Sequence, residues 1–157
     1  MGEVRVPERW NVYLAGEIHS DWRDELQRLI EAADLPVRFT APVTDHAASD
    51  DCGVRITGPA PDRFWHDRKG ALLNAVRTRT AIKEAHVVVV RFGDRYKQWN
   101  AAFDAGLASA WDKPLVILHD AEHDHALKEI DAAAAMVCRT PSEVAAALAY
   151  VISGRLP

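Results

Sequence analysis

Basic runs, paired cysteines, long apolar stretches and phosphate-loop glycines are all missing from this sequence. It carries 19 Lys and Arg against 23 Asp and Glu, a net charge of -4. No basic cluster or basic-and-aromatic stripe is present to neutralise phosphates, so no nucleic-acid polymer is expected as a partner. No apolar run approaches the roughly 18 residues of a membrane span, so no membrane partner is expected either. The only cysteines, Cys52 and Cys138, lie far apart and fit no metal or redox spacing. The opening MGEVRVPERW has no apolar signal core, and Val6 stands where a myristoylation signal needs Ser or Thr. Two unpaired thiols without a leader predict a cytoplasmic location. Neither a G-x-G-x-x-G after the first strand pattern nor a Walker sequence occurs, which excludes dinucleotide and nucleoside triphosphate sites of the usual kinds.

What is there is an ordinary globular composition. The chain has 157 residues, 48% hydrophobic and 27% charged, enough for a full core in one domain, 1–157. Val87 to Val90 are four β-branched apolar residues in a row, the pattern of a strand buried on both faces. Phe92, Gly93 and Asp94 stop it. Trp99, Phe103 and Leu107 then recur every four residues, which predicts a helix from near Gln98 or Asn100 to about Trp111. Before it, Trp10 to Gly16 reads as a strand, Trp22 to Ala33 as a helix and Val37 to Thr40 as a second strand. Ala41 to Asp67, rich in Gly and Pro, reads as irregular, its 43–60 part a lid. Arg68 to Glu84 reads as a helix with Leu72, Leu73 and Val76 inward. Leu115 to Leu118 is a further strand, 119–125 a solvated polar loop, Ala126 to Ile130 a short helix and Ala134 to Val137 a last strand. Thr140-Pro141-Ser142-Glu143 is a capping box with proline at the first helical position.

Alternating strands and helices predict an α/β, flavodoxin-like three-layer sandwich: about five parallel strands in order 2-1-3-4-5, helices on both faces. In that order strands one and three are neighbours. Ligands bind outside their carboxyl ends, where the loops Gly16 to Ser20 and Phe92 to Asn100 meet. This brings Tyr13 toward Asp104. Asn100 and Asp104 are four apart on one helix face. If the helix starts at Asn100, the helix dipole favours an ionised Asp104. Asp104 is then a candidate nucleophile or base, Tyr13 its partner. The plain alternatives are an Asn100 N-cap, a surface Asp104 and a core tyrosine. His19, Ser20 and Arg23 lie at the start of the first helix, where backbone N–H groups favour an anion. The HDAEHDH segment, 119–125, lacks the glutamate of a zinc-binding helix, and no metal is assigned to it.

The residues match a known pattern. Tyr13-Leu14-Ala15-Gly16, with Asp104-Ala105-Gly106-Leu107-Ala108 and Lys113-Pro114, resembles the nucleoside 2-deoxyribosyltransferase superfamily. The run Leu14 to Arg23, together with Tyr96 to Asn100, His46, Ser49-Asp50, Gly53 and Arg77-Thr78, is similar to its YtoQ branch. The resemblance covers nearly the whole chain. It implies the same fold, a homo-oligomer and a carboxylate nucleophile that opens an N-glycosidic bond. Carried across, the catalytic set is Asp104, Tyr13 and Asn100. The substrate-binding set is Gly16, Glu17, His19, Ser20, Arg23, His46, Asp50, Arg77, Asp94 and Trp99. Two positions depart from the pattern. The nucleophile is Asp where the family usually has Glu, and Arg77-Thr78 stands where an Asp is usual near the leaving base.

The expected partner is a nucleoside or nucleotide, with no cofactor. The expected function is cleavage or transfer of its N-glycosidic bond. A general acid is needed for the leaving base, and Asp94 and Asp50 are both candidates. The alternative, supported by the two departures, is a non-catalytic module that keeps a nucleotide-like ligand pocket.

Overall fold

A computed structural model describes residues 6–156. Five strands and six helices alternate along the chain: β1 (Trp10–Gly16), α1 (Trp22–Ala32), β2 (Val37–Thr40), α2 (His46–Thr57), α3 (Arg63–Glu84), β3 (Val87–Arg91), α4 (Trp99–Ala110), β4 (Leu115–Leu118), α5 (Asp124–Ala133), β5 (Met136–Cys138) and α6 (Pro141–Ser153). All sheet pairings are parallel, in order β2-β1-β3-β4-β5. This is the three-layer order expected from the sequence. No helix among the described residues is long and apolar enough to cross a membrane.

The valine run explains the layers. Strand side chains alternate between faces. Val87 and Val89 pack with Trp22, Leu26 and Ile30 of α1 and Val144 and Leu148 of α6. Val88 and Val90 pack the other way, with Tyr13, Ile82 of α3 and Ala101, Ala105 and Ala108 of α4. At the chain's C-terminal end the capping box forms: Thr140 accepts from the Glu143 N–H, and Glu143 accepts from the Arg139 N–H at 2.5 Å. Gly154, at φ 70°, closes α6.

Several expectations are corrected. The segment 41–67 is not irregular: it holds α2 and the first turn of α3, each capped by an aspartate, Asp45 on the Ala48 N–H and Asp62 on the Trp65 N–H. The two helices pack backbone to backbone. A Cβ on Gly53 would lie 2.4 Å from the Lys69 carbonyl carbon, and one on Gly70 would lie 2.8 Å from the Asp50 carbonyl oxygen. These glycines are crossing points, not turn residues. Leu72, Leu73 and Val76 do not face inward; they are exposed, as are Trp99 and Phe103 of α4. The buried positions of α3 and α4 are instead small or distal: Gly70, Ile82, Ala101, Ala105 and Ala108. The 119–125 segment is not simply a solvated loop. His119 is fully buried, and a short 3-10 turn, Ala121–His123, leads directly into α5.

Candidate active site

β1 and β3 pair side by side, Tyr13 opposite Val88 and Gly16 opposite Arg91. Their following loops therefore meet at the carboxyl edge. Gly16 is at φ 95°, and a Cβ there would fall 2.0 Å from the Arg91 carbonyl oxygen, so only glycine fits this strand end. The neighbouring loop tip contributes Tyr96, at φ 63°, whose ring meets that of His19 with centroids 4.9 Å apart.

The β1–α1 loop is held by its own polar residues. Glu17 is buried, and its carboxylate accepts from the His19 N–H and from the Ser20 hydroxyl, the latter at 2.5 Å. Burial alone would push its pKa up, but these bonds, with the Arg91 charge, hold it below the ordinary value. Arg23 donates to three backbone carbonyls, those of Leu14 (3.2 Å), Glu17 (2.6 Å) and Gly16 (3.1 Å). Trp22 donates its indole N–H to the Glu17 carbonyl as well, at 2.8 Å. Burial lowers the Arg23 pKa to about 10, against the nearby Glu17 charge. Glu17, Ser20 and Arg23 are thus engaged in building the loop rather than held free for an anion.

The Asp104 charge acts on the Tyr13 phenol, but no hydrogen bond joins the two among the described residues. Tyr13 is 1% exposed, and its buried hydroxyl has no hydrogen-bond partner. Thr78 approaches it without reaching good hydrogen-bond geometry. Burial and the Asp104 charge raise the phenol to about 12, while Thr78, Arg23 and Arg77 oppose the shift. Asp104 itself is half-buried, and burial raises its carboxyl to about 6. The dipole expectation fails here. The N-cap of α4 is Gln98 and its first residue Trp99, so Asp104 is the sixth residue, beyond the first turn, and desolvation decides its pKa. A carboxyl shifted toward neutrality beside a neutral phenol is the kind of pair found at reactive sites.

A cavity of about 330 Å³ opens at Tyr13, lined also by Thr40, Pro42, Arg77, Thr78 and Thr80 among others. Arg77 borders it as expected from sequence and makes no hydrogen bond or ion pair among the described residues. Thr40, Thr78 and Thr80 were not on the sequence-derived site, although Thr78 adjoins Arg77 in the quoted motif. Neither Asp104 nor Asn100 lines the cavity. A second cavity, about 270 Å³, lies against α1 and β2 and borders none of these groups.

The remaining candidates are dispersed. Asn100 is exposed and has no side-chain hydrogen bond among the described residues. Trp99 is 74% exposed under the Lys97 ammonium, which is 5.7 Å from its ring centroid. His46 and Asp50 pair at 3.3 Å on the exposed side of α2. Asp94 pairs with His123 at 3.1 Å. The expected 43–60 lid is the helix α2, docked on α3 through the Asn74 amide on Ser49, about one turn before Arg77. Gln98, absent from the expected site, closes the β3–α4 loop by bonding both the N–H and the carbonyl of Gly93.

A parallel doubly wound sheet in the order β2-β1-β3-β4-β5 defines a class of α/β protein whose ligand sites lie at the carboxyl ends of the strands. Within that class the chain belongs to the family described as "Nucleoside 2-deoxyribosyltransferase YtoQ", whose model matches residues 13–152. It is 39% identical over 140 residues to the uncharacterized protein YtoQ of Bacillus subtilis (strain 168), covering 89% of this chain and 95% of that one. Among solved structures it is similar to the 2-deoxyribosyltransferase of Bacillus psychrosaccharolyticus, with TM-score 0.52 and 14% identity over 86% of this chain and 90% of that one. A conserved protein from Enterococcus faecalis V583 gives TM-score 0.57 and 14% identity over 87% and 95% of the two chains. The DNA processing protein A of Helicobacter pylori gives 0.52 and 13% over 92% and 82%. At these identities the structural likenesses establish the fold.

Proposed function

We propose that the protein opens the N-glycosidic bond of a nucleoside or nucleotide, in the manner its family description names, with Asp104 as the nucleophile. The observation that carries this reading is the Tyr13–Asp104 pair: a half-buried carboxyl raised to about 6, beside a buried phenol that has no protein partner. At neutral pH the carboxylate is mostly ionised and poorly solvated, which favours attack on an anomeric carbon. One carboxylate oxygen forms the bond to that carbon as the carbon–nitrogen bond breaks, and the base leaves with the electron pair and takes up a proton. Water or a second base then attacks the glycosyl-enzyme and frees Asp104 again, with net retention. Tyr13, neutral at any working pH, donates its unused O–H to the carboxylate or to the sugar. Arg77, exposed on the cavity wall, meets a carbonyl or anionic group of the substrate.

Asp94 and Asp50, the candidate general acids, are each held in an exposed pair with a histidine outside the cavity lining, and neither gains support as the donor to the leaving base. The exposed Leu72, Leu73, Val76, Trp99 and Phe103 on α3 and α4 support assembly with further copies of the chain, since such apolar patches seldom stay open to water.

The test is incubation with a panel of ribo- and deoxyribonucleosides and their 5′-monophosphates, with and without a second base, followed by chromatography of released or exchanged base. Release or exchange abolished in Asp104→Asn supports the reading; no reaction with any member removes it. One observation favours the alternative, a binding module without catalysis: the cavity includes Tyr13, Arg77 and Thr78 but stops short of Asp104. Stabilisation by a nucleotide with no turnover is its expected signature.

A further inference from the structure

The β4–α5 connection carries a histidine cluster that the glycosidic chemistry does not use. It divides into two neighbouring groups, the His119 and His123 rings lying 6.3 Å apart at 62°. In the first group, buried His119 meets the Asp131 carboxylate at 3.1 Å and the Asp120 carbonyl at 2.8 Å. This group already contains a cation. The Arg139 guanidinium lies 2.6 Å from Asp124 and 3.2 Å from His119 Nδ1.

The second group has the same kinds of donor and no such cation. His123 Nε2 lies 3.1 Å from Asp94 Oδ1 and 4.0 Å from Glu122 Oε1. The three ligand atoms all lie within 4.8 Å of one another. No Lys or Arg among the described residues pairs with either carboxylate. Asp94 comes from the β3–α4 connection, 29 residues away in sequence, so two separate segments supply the donors. That convergence is invisible in the HDAEHDH segment alone. Ligands at the zinc distances of roughly 2.0–2.2 Å stand about 3.3 Å apart around a tetrahedral ion. The His123–Asp94 spacing matches that edge length, and closing the other spacings, all within 4.8 Å, takes a side-chain shift of about 1–1.5 Å. Two carboxylates and a neutral imidazole balance a divalent charge. The imidazole selects zinc-like ions over magnesium or calcium, which prefer oxygen throughout.

We infer that His123, Asp94 and Glu122 bind one divalent transition-metal ion, with zinc the best fit, that ties the β3–α4 connection to the β4–α5 connection. The ion leaves its remaining positions to water and acts as a clasp on the loop that carries Tyr96 and leads into α4. Of the three ligands only Asp94 belongs to the site expected from sequence, and the cleavage step proposed above does not use it, so the inference stands or falls apart from that reading.

The test is isothermal titration of the tag-free, chelator-stripped chain with zinc chloride, with magnesium chloride as a control. His123→Ala, Asp94→Asn and Glu122→Gln are titrated alongside. All three positions are at or near the surface, so the variants are expected to fold, and circular dichroism checks this. The expected result is saturation at one zinc per chain and at least tenfold weaker binding in His123→Ala and Asp94→Asn, on the scale that loss of even an outer partner of a metal ligand produces. Cobalt in place of zinc should give visible d–d absorption that disappears with His123→Ala. Zinc should also slow proteolytic cleavage within 93–98. Three outcomes would overturn the proposal: no zinc binding, binding undiminished in both His123→Ala and Asp94→Asn, or magnesium binding as tightly as zinc.

Discussion

The Tyr13 hydroxyl, buried and without a hydrogen-bond partner, lies close enough to the Asp104 carboxylate for that charge to help hold its proton up to about pH 12. The carboxyl in turn is raised to about 6, from an ordinary value of 3.8, because it is shielded from water. One group stays neutral while its neighbour titrates near physiological pH, a separation of roles that acid–base chemistry requires.

Asp104→Asn separates chemistry from stability. Turnover, if the nucleophile is Asp104, should fall by several orders of magnitude while nucleoside binding survives. In the wild-type protein kcat/KM should rise with pH through about 6 as the carboxylate forms. Stability should move the other way. The folded-state pKa is above the unfolded one, so between pH 4 and 6 the native state holds the extra proton and unfolding free energy falls as pH rises. A shift of this size corresponds to an order of 2 kcal/mol lost by pH 7. Glu17, held below its ordinary value, contributes the opposite slope, so the check is the difference between wild type and Asp104→Asn in urea titrations at pH 4 and pH 7, in which the wild type should lose stability relative to the variant as pH rises.

Tyr13→Phe should leave the fold intact and make it slightly firmer. An unpartnered buried hydroxyl costs about 1–3 kcal/mol, so its removal at constant shape should raise unfolding free energy by about 1 kcal/mol. Catalysis should fall by about ten- to a hundredfold, the usual contribution of one positioned donor. A variant that is both less stable and fully active would make Tyr13 a core residue and nothing more.

The strands were legible because their signal is local. Val87 to Val90, and Leu115 to Leu118, are apolar without a break, and a parallel sheet needs nothing else. The faces of α3 and α4 were not legible, for a physical reason. Reading large apolar residues as inward put Leu72, Leu73 and Val76 in the core. The helices instead approach the sheet closely through Ala101, Ala105 and Ala108 and leave their large residues outside. Small residues carry little hydrophobic weight, so a stripe of them does not register. The same blindness hid α2, whose buried contact is Gly53. At the site, the neighbouring of β1 and β3 followed from the alternation of strands and helices, while the cavity beside Tyr13 takes its wall from α3 rather than from Asp104. Arg23 was misjudged because the acceptors it satisfies are main-chain carbonyls at a strand end, which no side-chain pattern reveals.

The two kinds of glycine give opposite results on substitution. Gly53→Ala places a methyl 2.4 Å from the Lys69 backbone. The α2–α3 contact must open, and a loss of about 2 kcal/mol or more is expected. Gly106, inside α4, has nothing within 4 Å of the added Cβ. Gly106→Ala should therefore gain about 0.5–1 kcal/mol from helix propensity in the monomeric chain. Chemical denaturation of both variants beside the wild type distinguishes a packing glycine from an unconstrained one.

The final prediction concerns the outward face of α3 and α4. Leu72 is 56% exposed, Val76 65%, Trp99 74% and Phe103 59%, on two helices that pack against each other. Apolar area left in water forgoes about 25 cal/mol for every Å² that a neighbour could cover. Large apolar side chains exposed on adjoining helices are what an interface between copies would cover. A closed arrangement of identical chains covers such a face with its own copy. Light scattering coupled to size exclusion should thus give a mass above 17.4 kDa for the wild type. Leu72→Glu combined with Phe103→Glu should return it to the monomer while far-ultraviolet circular dichroism stays the same, since neither side chain belongs to the core. A wild-type chain that runs as a monomer at high concentration would refute the assembly. If the double variant dissociates and also loses base release, the site depends on the contact; if release persists, Tyr13 and Asp104 act within one chain.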